Sequence, residues 1–265
     1  MPSVEENLRV WDQSYDWTQE GNEWSAAWGG PEAEWFGTIF PRIHGFLPNG
    51  TILEIAPGFG RWTHYLKDYC DKLILVDLSE KCIEACRRRF SSSSHITYHV
   101  NDGRSLEMIA DKSVDFVFSL DSLVHAEADV LEAYLIQLGR KLKLKGTGFV
   151  HHSNLGMYAE LVARAKQAPP ASQGKIIDLQ SWRAESMTAK LFEMSCDKAG
   201  LQCASQELIN WFNEFLVDCF SVFTRKELIR AKPNQVVENP HFVDEVNLIR
   251  TLAPLYANYV ELRCE

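Results

Sequence analysis

Two histidine-bearing segments have the makeup of an acid–base site. Asp121 and His125 lie four residues apart in the break after one apolar run, and His151-His152-Ser153-Asn154 closes another. An imidazole titrates near neutral pH, and a carboxylate beside it orients the ring and stabilises its protonated form. Such a pair can take a proton from a hydroxyl or an amine as that group attacks an electrophile. His125 is the leading base, with Asp121 as its partner. Neighbours on a strand face opposite ways, so at most one of His151 and His152 points into a cleft. His152, nearer the strand end, is the expected one. Ser153 and Asn154 either hydrogen-bond an acceptor or cap their own loop. Asp121, His125 and His152 could instead hold a divalent metal. No compact ligand motif supports this and magnesium prefers oxygen donors, so no metal is expected.

A second set of residues suits a nucleoside. Leu53-Glu54-Ile55-Ala56-Pro57-Gly58-Phe59-Gly60 runs from an apolar segment into a glycine turn. Glycine permits the tight turn and lets a ligand approach the main chain. A strict GxGxxG is absent, as is the lysine of a phosphate-binding P-loop. Asp77 ends the next apolar run, where a carboxylate can accept both hydrogen bonds of a ribose diol. Asp102, between Asn101 and Gly103, ends the third and can meet the exocyclic amine of an adenine.

The elements that must position these residues follow from periodicity. Short apolar runs at 51–55, 72–76, 96–100, 114–119 and 148–152 read as buried strands, with two more at 203–211 and 216–224. Helices are expected over 32–46, 62–69, 79–90 with Ser79 as cap, 105–110, 128–142, 186–199 and 242–259, and Lys145-Gly146 reads as a turn. Strands alternating with helices imply right-handed βαβ units and a parallel sheet covered on both faces. Glu54, Asp77 and Asp102 all fall at C-terminal strand ends, where open α/β sheets bind ligands.

Composition narrows the function classes. A hydrophobic fraction of 46% with no long apolar stretch suits a globular chain and excludes a membrane span. The net charge of −9 makes nucleic acid a poor partner. Arg87-Arg88-Arg89 would point in different directions on a helix and form no patch. Seven cysteines without a CxxC pair point to a reducing, cytoplasmic setting without disulfides. Five of the eight tryptophans, Trp11, Trp17, Trp24, Trp28 and Trp35, fall in the first fifty residues. Trp35 is expected in the core, and Trp24 and Trp28 beside the ligand, as part of a lid. Trp182 and Arg183 lie where acceptor contacts are usual, and Arg183 could meet a carboxylate or phosphate.

Together these segments resemble the class I S-adenosylmethionine-dependent methyltransferases. The resemblance implies a Rossmann-like, seven-stranded, mostly parallel sheet with helices on both faces and an antiparallel last strand. It covers 51–224, between an N-terminal lid (1–50) and a helical C-terminal extension (225–265). It makes Glu54, Ala56, Gly58 and Gly60 the first cofactor motif. Asp77, Leu78 and Ser79 then face the ribose, Asn101, Asp102 and Gly103 flank the adenine, and Asp121 and Ser122 border methionine and acceptor. Trp28 and Trp62 would complete the cofactor contacts, and Trp24, Asn154, Trp182 and Arg183 would touch the acceptor. The chain departs from the commonest pattern at Ala56-Pro57, where a glycine and a variable residue are usual. More loosely, Trp28-Gly29-Gly30, His125 and His151 to Asn154 are similar to methyltransferases encoded with polysaccharide and glycoside biosynthesis enzymes. The expected reaction is O-methylation of a sugar or glycoside hydroxyl, with N-methylation of a small molecule as the alternative. An NAD-dependent oxidoreductase, supported only by the glycine turn, and a non-catalytic adenosyl-binding module are the other classes. The sequence leaves monomer and homodimer equally open.

Overall fold

The computed structural model describes residues 3–167, 183–226 and 233–261. Eight strands form one sheet: β1 (Asn49–Ile55), β2 (Cys70–Asp77), β3 (Ile96–Val100), β4 (Val114–Ser119), β5 (Leu142–Ser153), β6 (Leu201–Ile209), β7 (Asp218–Arg225) and β8 (Gln235–Asn239). Their order is β3-β2-β1-β4-β5-β7-β6-β8. Only β7 runs antiparallel, paired with β5 on one side and β6 on the other, while β8 lies parallel to β6. The Rossmann-like architecture is as expected, but with eight strands rather than seven.

The sequence pattern accounts for the covering helices. In Glu80–Arg89 the Ser79 side chain accepts the Cys82 amide, and Cys82, Ile83 and Cys86 turn one face to the sheet. Its last turn carries Arg87, Arg88 and Arg89, whose charges suit a helix C-terminus. In Ala128–Lys141 the buried residues Val130, Leu131, Tyr134, Leu135 and Leu138 recur at three and four, which makes one apolar stripe. Each such leucine contributes roughly 1.5–3 kcal/mol by leaving water.

Two apolar clusters fill the two faces. One joins Leu53, Val76 and Val117 to the helix Ala128–Lys141 and to Phe192 and Cys196. The other joins Ile52, Phe116 and Phe118 to Trp28, Trp35, Phe242 and Val246, so both chain ends enter it. Arg42 fastens them polarly, pairing with Glu207 on β6 and with Glu245 in the helix Phe242–Glu261, both at 2.8 Å.

Three local expectations fail. Residues 105–110 form turns, not a helix. Lys145-Gly146 lies inside β5, which runs twelve residues from Leu142. The C-terminal extension is not wholly helical, because Gln235–Asn239 adds a strand. Among the described residues six cysteines are unbonded, and no helix is long and apolar enough to cross a membrane.

Candidate active site

A cleft opens at the C-terminal ends of β1, β2 and β4. Its floor is the turn after β1. Ala56, Gly58 and Gly60 all have left-handed backbone there, with φ of 58°, 58° and 84°. The usual glycine at position 56 is thereby explained, since a side chain at such φ costs on the order of 1 kcal/mol. Gly60 needs its missing side chain in another way: a Cβ would lie 2.5 Å from the Phe90 ring.

Asp77 lines this cleft while its two oxygens accept the Gly58 amide (3.1 Å) and the Ser79 amide (2.9 Å). Burial pushes its carboxyl up to about 6 against those bonds. A held carboxylate with remaining lone pairs facing a cleft fits a ribose diol. Leu78, Ala56, Gly58, Trp62, Gly103, Asp121 and Ser122 also line the cleft. The Ser122 hydroxyl donates to the Ala56 carbonyl at 2.7 Å and ties the turn after β4 to the glycine turn.

Other members of that set lie elsewhere. Glu54 is buried beneath the turn, accepts the Thr63 hydroxyl at 2.6 Å, and does not line the cleft. Burial pushes it up to about 8, with the Asp77 charge adding to the effect. Asp102 faces solvent and accepts the Arg104 and Ser105 amides, which hold its carboxyl below the usual range. Asn101 donates to the Ser105 carbonyl and the Tyr134 hydroxyl, and accepts the Gly103 amide. Ser79 caps its helix and donates to Asp12 at 2.7 Å. Of the three acids expected to converge, only Asp77 faces the cleft. Trp28 is also corrected: it is a core residue packed by Trp211 and Phe242, and its indole donates to Thr38.

The N-terminal segment covers the cleft as a set of aromatic walls. Trp11, Trp17 and Trp24 line it, and Trp17 stacks on Phe59 at 4.5 Å. Asp12 reaches Ser79, Val4 packs at Gly103, and Asn7 donates to the His125 carbonyl at 3.0 Å. The segment thus touches the turns after β1, β2, β3 and β4.

His125 lines the cleft, with its ring 5.2 Å from Trp11. Asp121, however, turns to other groups. Its carboxylate meets Arg61 at 2.5 Å and His151 at 3.1 Å. Burial opposes ionisation of Asp121, but Arg61 and His151 outweigh it and hold the carboxyl down at about 2. His152 is on the wrong side. It stacks on Phe192 at 4.3 Å in the opposite core, bonded to the Ser153 carbonyl and the Ser221 hydroxyl. Burial lowers it to about 4. The alternation argument holds, but His151 is the residue on the Asp121 side. The imagined metal trio is therefore not assembled.

Two acceptor residues are spent on the fold. Asn154 donates to the Leu216 carbonyl and accepts the Ala189 amide, fully buried. Arg183 grips Asp218 with two nitrogens at 2.8 Å, so its carboxylate partner belongs to the chain itself. Trp182 lies outside the described residues. Trp24 does line the cleft and packs 5.3 Å from the Arg61 guanidinium.

Arg61 is the main residue that sequence reasoning missed. It lines the cleft, is 5% exposed, bonds Ser25 and Asp121, and lies 3.7 Å from Glu34. Burial pushes Glu34 up to about 8 despite that neighbour. The available signal was an arginine directly after the glycine turn.

Residues 52–146 match the family described as methyltransferase domain. Among curated proteins, the ribosomal RNA small subunit methyltransferase A of Coxiella burnetii is 30% identical over 63 residues, 24% of each chain. The chain thus spans about a quarter of the length of those relatives. Three solved structures share the fold. The PH0226 protein of Pyrococcus horikoshii has a TM-score of 0.54 at 20% identity, covering 82% of this chain and 96% of that one. Magnesium protoporphyrin IX methyltransferase of Synechocystis, solved with bound S-adenosylhomocysteine, has 0.54 at 12%, covering 84% and 94%. An S-adenosylmethionine-dependent methyltransferase of Leishmania major has 0.58 at 8%, covering 83% and 82%.

Proposed function

We propose that this S-adenosylmethionine-dependent methyltransferase moves the methyl group onto a hydroxyl of a small ring-shaped acceptor, a sugar or glycoside, with His125 as general base. The supporting observation is that His125 faces the same cleft as Asp77 and the glycine turn, against the Trp11 ring. When bound, S-adenosylmethionine supplies a methyl group already activated on a sulfonium. The chain must hold the donor, align the acceptor, exclude water and remove one proton. Asp77 suits the ribose diol. Arg61 suits the carboxylate of the methionine moiety, because Glu34, held near 8, leaves part of the guanidinium charge uncompensated at neutral pH. Trp11, Trp17 and Trp24 present apolar ring surfaces on which an acceptor ring can lie. RNA, the substrate named for the Coxiella relatives, is not the acceptor we infer, since a charge of −9 repels phosphates.

A second reading has its own support. Tyr15, Trp17 and Trp24 pack together, with Trp17 and Trp24 lining the cleft and the Tyr15 hydroxyl donating to Glu23, and such an aromatic cluster can hold a cationic amine. His125→Ala separates the two. With a hydroxyl acceptor, turnover should fall by about 10²–10⁴-fold while S-adenosylhomocysteine still binds. Unchanged turnover on a hydroxyl acceptor removes the assigned base, and unchanged turnover on an amine selects the second reading. Thermal stabilisation tests the donor itself: at a hundred times its dissociation constant a ligand adds about 2.7 kcal/mol. A shift with NAD but none with S-adenosylhomocysteine would overturn the whole reading.

A further inference from the structure

We propose that His151 is a positioning residue: from behind the cleft it holds the Asp121 carboxylate, and through it Arg61, in the arrangement that receives the methyl donor. The inference rests on the cleft being an S-adenosylmethionine site. His151 lies on β5, wholly buried, with each ring nitrogen near a carboxylate: Nδ1 is 3.1 Å from Asp121 and Nε2 is 3.3 Å from Asp218. Asp218 is fixed in turn by Arg183. The result is a buried row of alternating sign, Arg61, Asp121, His151, Asp218 and Arg183, drawn from separate elements of the chain, with Glu34 beside Arg61 at its end. His152 is the neighbouring titratable group on β5. The rest of the His151 ring meets Trp211 and Phe220.

Asp121 shows why the clamp matters. It has φ of 63°, a left-handed conformation that costs a non-glycine residue on the order of 1 kcal/mol and persists only where surroundings impose it. Its side chain is gripped by Arg61 in front and His151 behind. Nδ1 of His151 also lies 3.3 Å from the Asp121 amide. When protonated, Nδ1 donates to the carboxylate; without that proton it is an acceptor, and the amide N–H takes its place. Loss of the imidazolium charge leaves one ring N–H between two carboxylates; with that N–H on Nε2 toward Asp218, Nδ1 accepts the amide and the Asp121 carboxylate rests on Arg61 alone. Burial opposes the imidazolium, but Asp121 and Asp218 outweigh burial and raise its pKa. The charged form thus persists through the ordinary histidine range and is lost as pH rises beyond it.

The test is S-adenosylhomocysteine binding by calorimetry from pH ~6 to ~10, with wild type and His151→Gln. Wild type should bind with level affinity near neutrality and lose about tenfold or more on the alkaline side, taking up protons on binding. His151→Gln should bind about tenfold more weakly at neutral pH, without the alkaline fall. A wild-type affinity level across the range overturns the inference, and so does the same fall in His151→Gln. If the variant does not fold, the ring-nitrogen resonances of His151 in wild type decide. The ligand must raise the pH at which the ring loses its proton; an unmoved or lowered value overturns the proposal. Wild type that binds no S-adenosylhomocysteine at any pH overturns the cofactor site itself, a separate and recognisable failure.

Discussion

Replacing Glu54 with glutamine should stabilise the protein, although the glutamate sits in its most family-like motif. The carboxyl is buried beneath the glycine turn and held up to about 8, against an ordinary 4.5. At neutral pH the folded chain must bind a proton that the unfolded chain has released. Each pH unit above the unfolded value costs about 1.4 kcal/mol, so the burden at pH 7 is roughly 3 kcal/mol. Glutamine has no proton to recover and keeps an oxygen for the Thr63 hydroxyl, which now donates to Glu54 at 2.6 Å. The folded pKa is raised, so the glutamate's contribution is intact below 4.5 and is lost as pH climbs toward 8. Urea denaturation followed by tryptophan fluorescence, repeated in pH steps, measures the difference. Glu54→Gln should match wild type in acid, gain steadily through neutrality, and level off beyond the raised value. A difference independent of pH, or a variant less stable on the alkaline side, would refute the reasoning that the buried acid is protonated.

Other predictions concern neighbouring residues. His152 is lowered to about 4 by burial, so the fold should lose about 3 kcal/mol as pH falls from the unfolded value near 6.5 to 4. His152→Phe, which keeps the stacking on Phe192, should flatten that slope in acid denaturation curves; parallel slopes would exclude His152 as the cause. Gly60→Ala forces a Cβ to 2.5 Å from Phe90 at a left-handed φ. It should cost about 2–4 kcal/mol in urea unfolding, and a cost under ~0.5 kcal/mol would mean that the turn relaxes freely.

Much of the sheet was legible because the local signal and the tertiary result agree. The runs 96–100 and 114–119 coincide with β3 and β4: 114–119 is an apolar segment buried inside the parallel sheet, and 96–100 is a short run bounded by turn residues on its half-buried edge. β8 was illegible for the opposite reason. Gln235–Asn239 holds only two apolar residues, both exposed, and exists as a strand through its pairing with β6. β5 began earlier than read because Lys145-Gly146 has turn composition, yet Gly146 is packed against the side chain of Leu142 and the Val114 carbonyl. At the site, strand ends located Asp77 and the loop after β4 located His125, both through topology. Choosing between His151 and His152 required knowing which face of β5 meets the cleft side, and proximity to the strand end carries no such information. Asp102 and Asn154 failed because short polar side chains in loops more often satisfy nearby backbone than face a ligand. Trp28 failed because its burial depends on Trp211 and Phe242, nearly two hundred residues away.

The clasp at Arg42 bears on how this chain can be dissected or can change. One guanidinium grips an acid on an inner strand and an acid on the final helix, over the rings of Phe220 and Phe242. Head and tail are therefore keystones of the sheet's far side rather than ornaments hung on it. Trimming to the matched segment 52–146 would strip Trp28, Trp35 and Phe242 from Phe116 and Phe118 and leave an apolar hollow where a wall had been. Neither end can be shed alone.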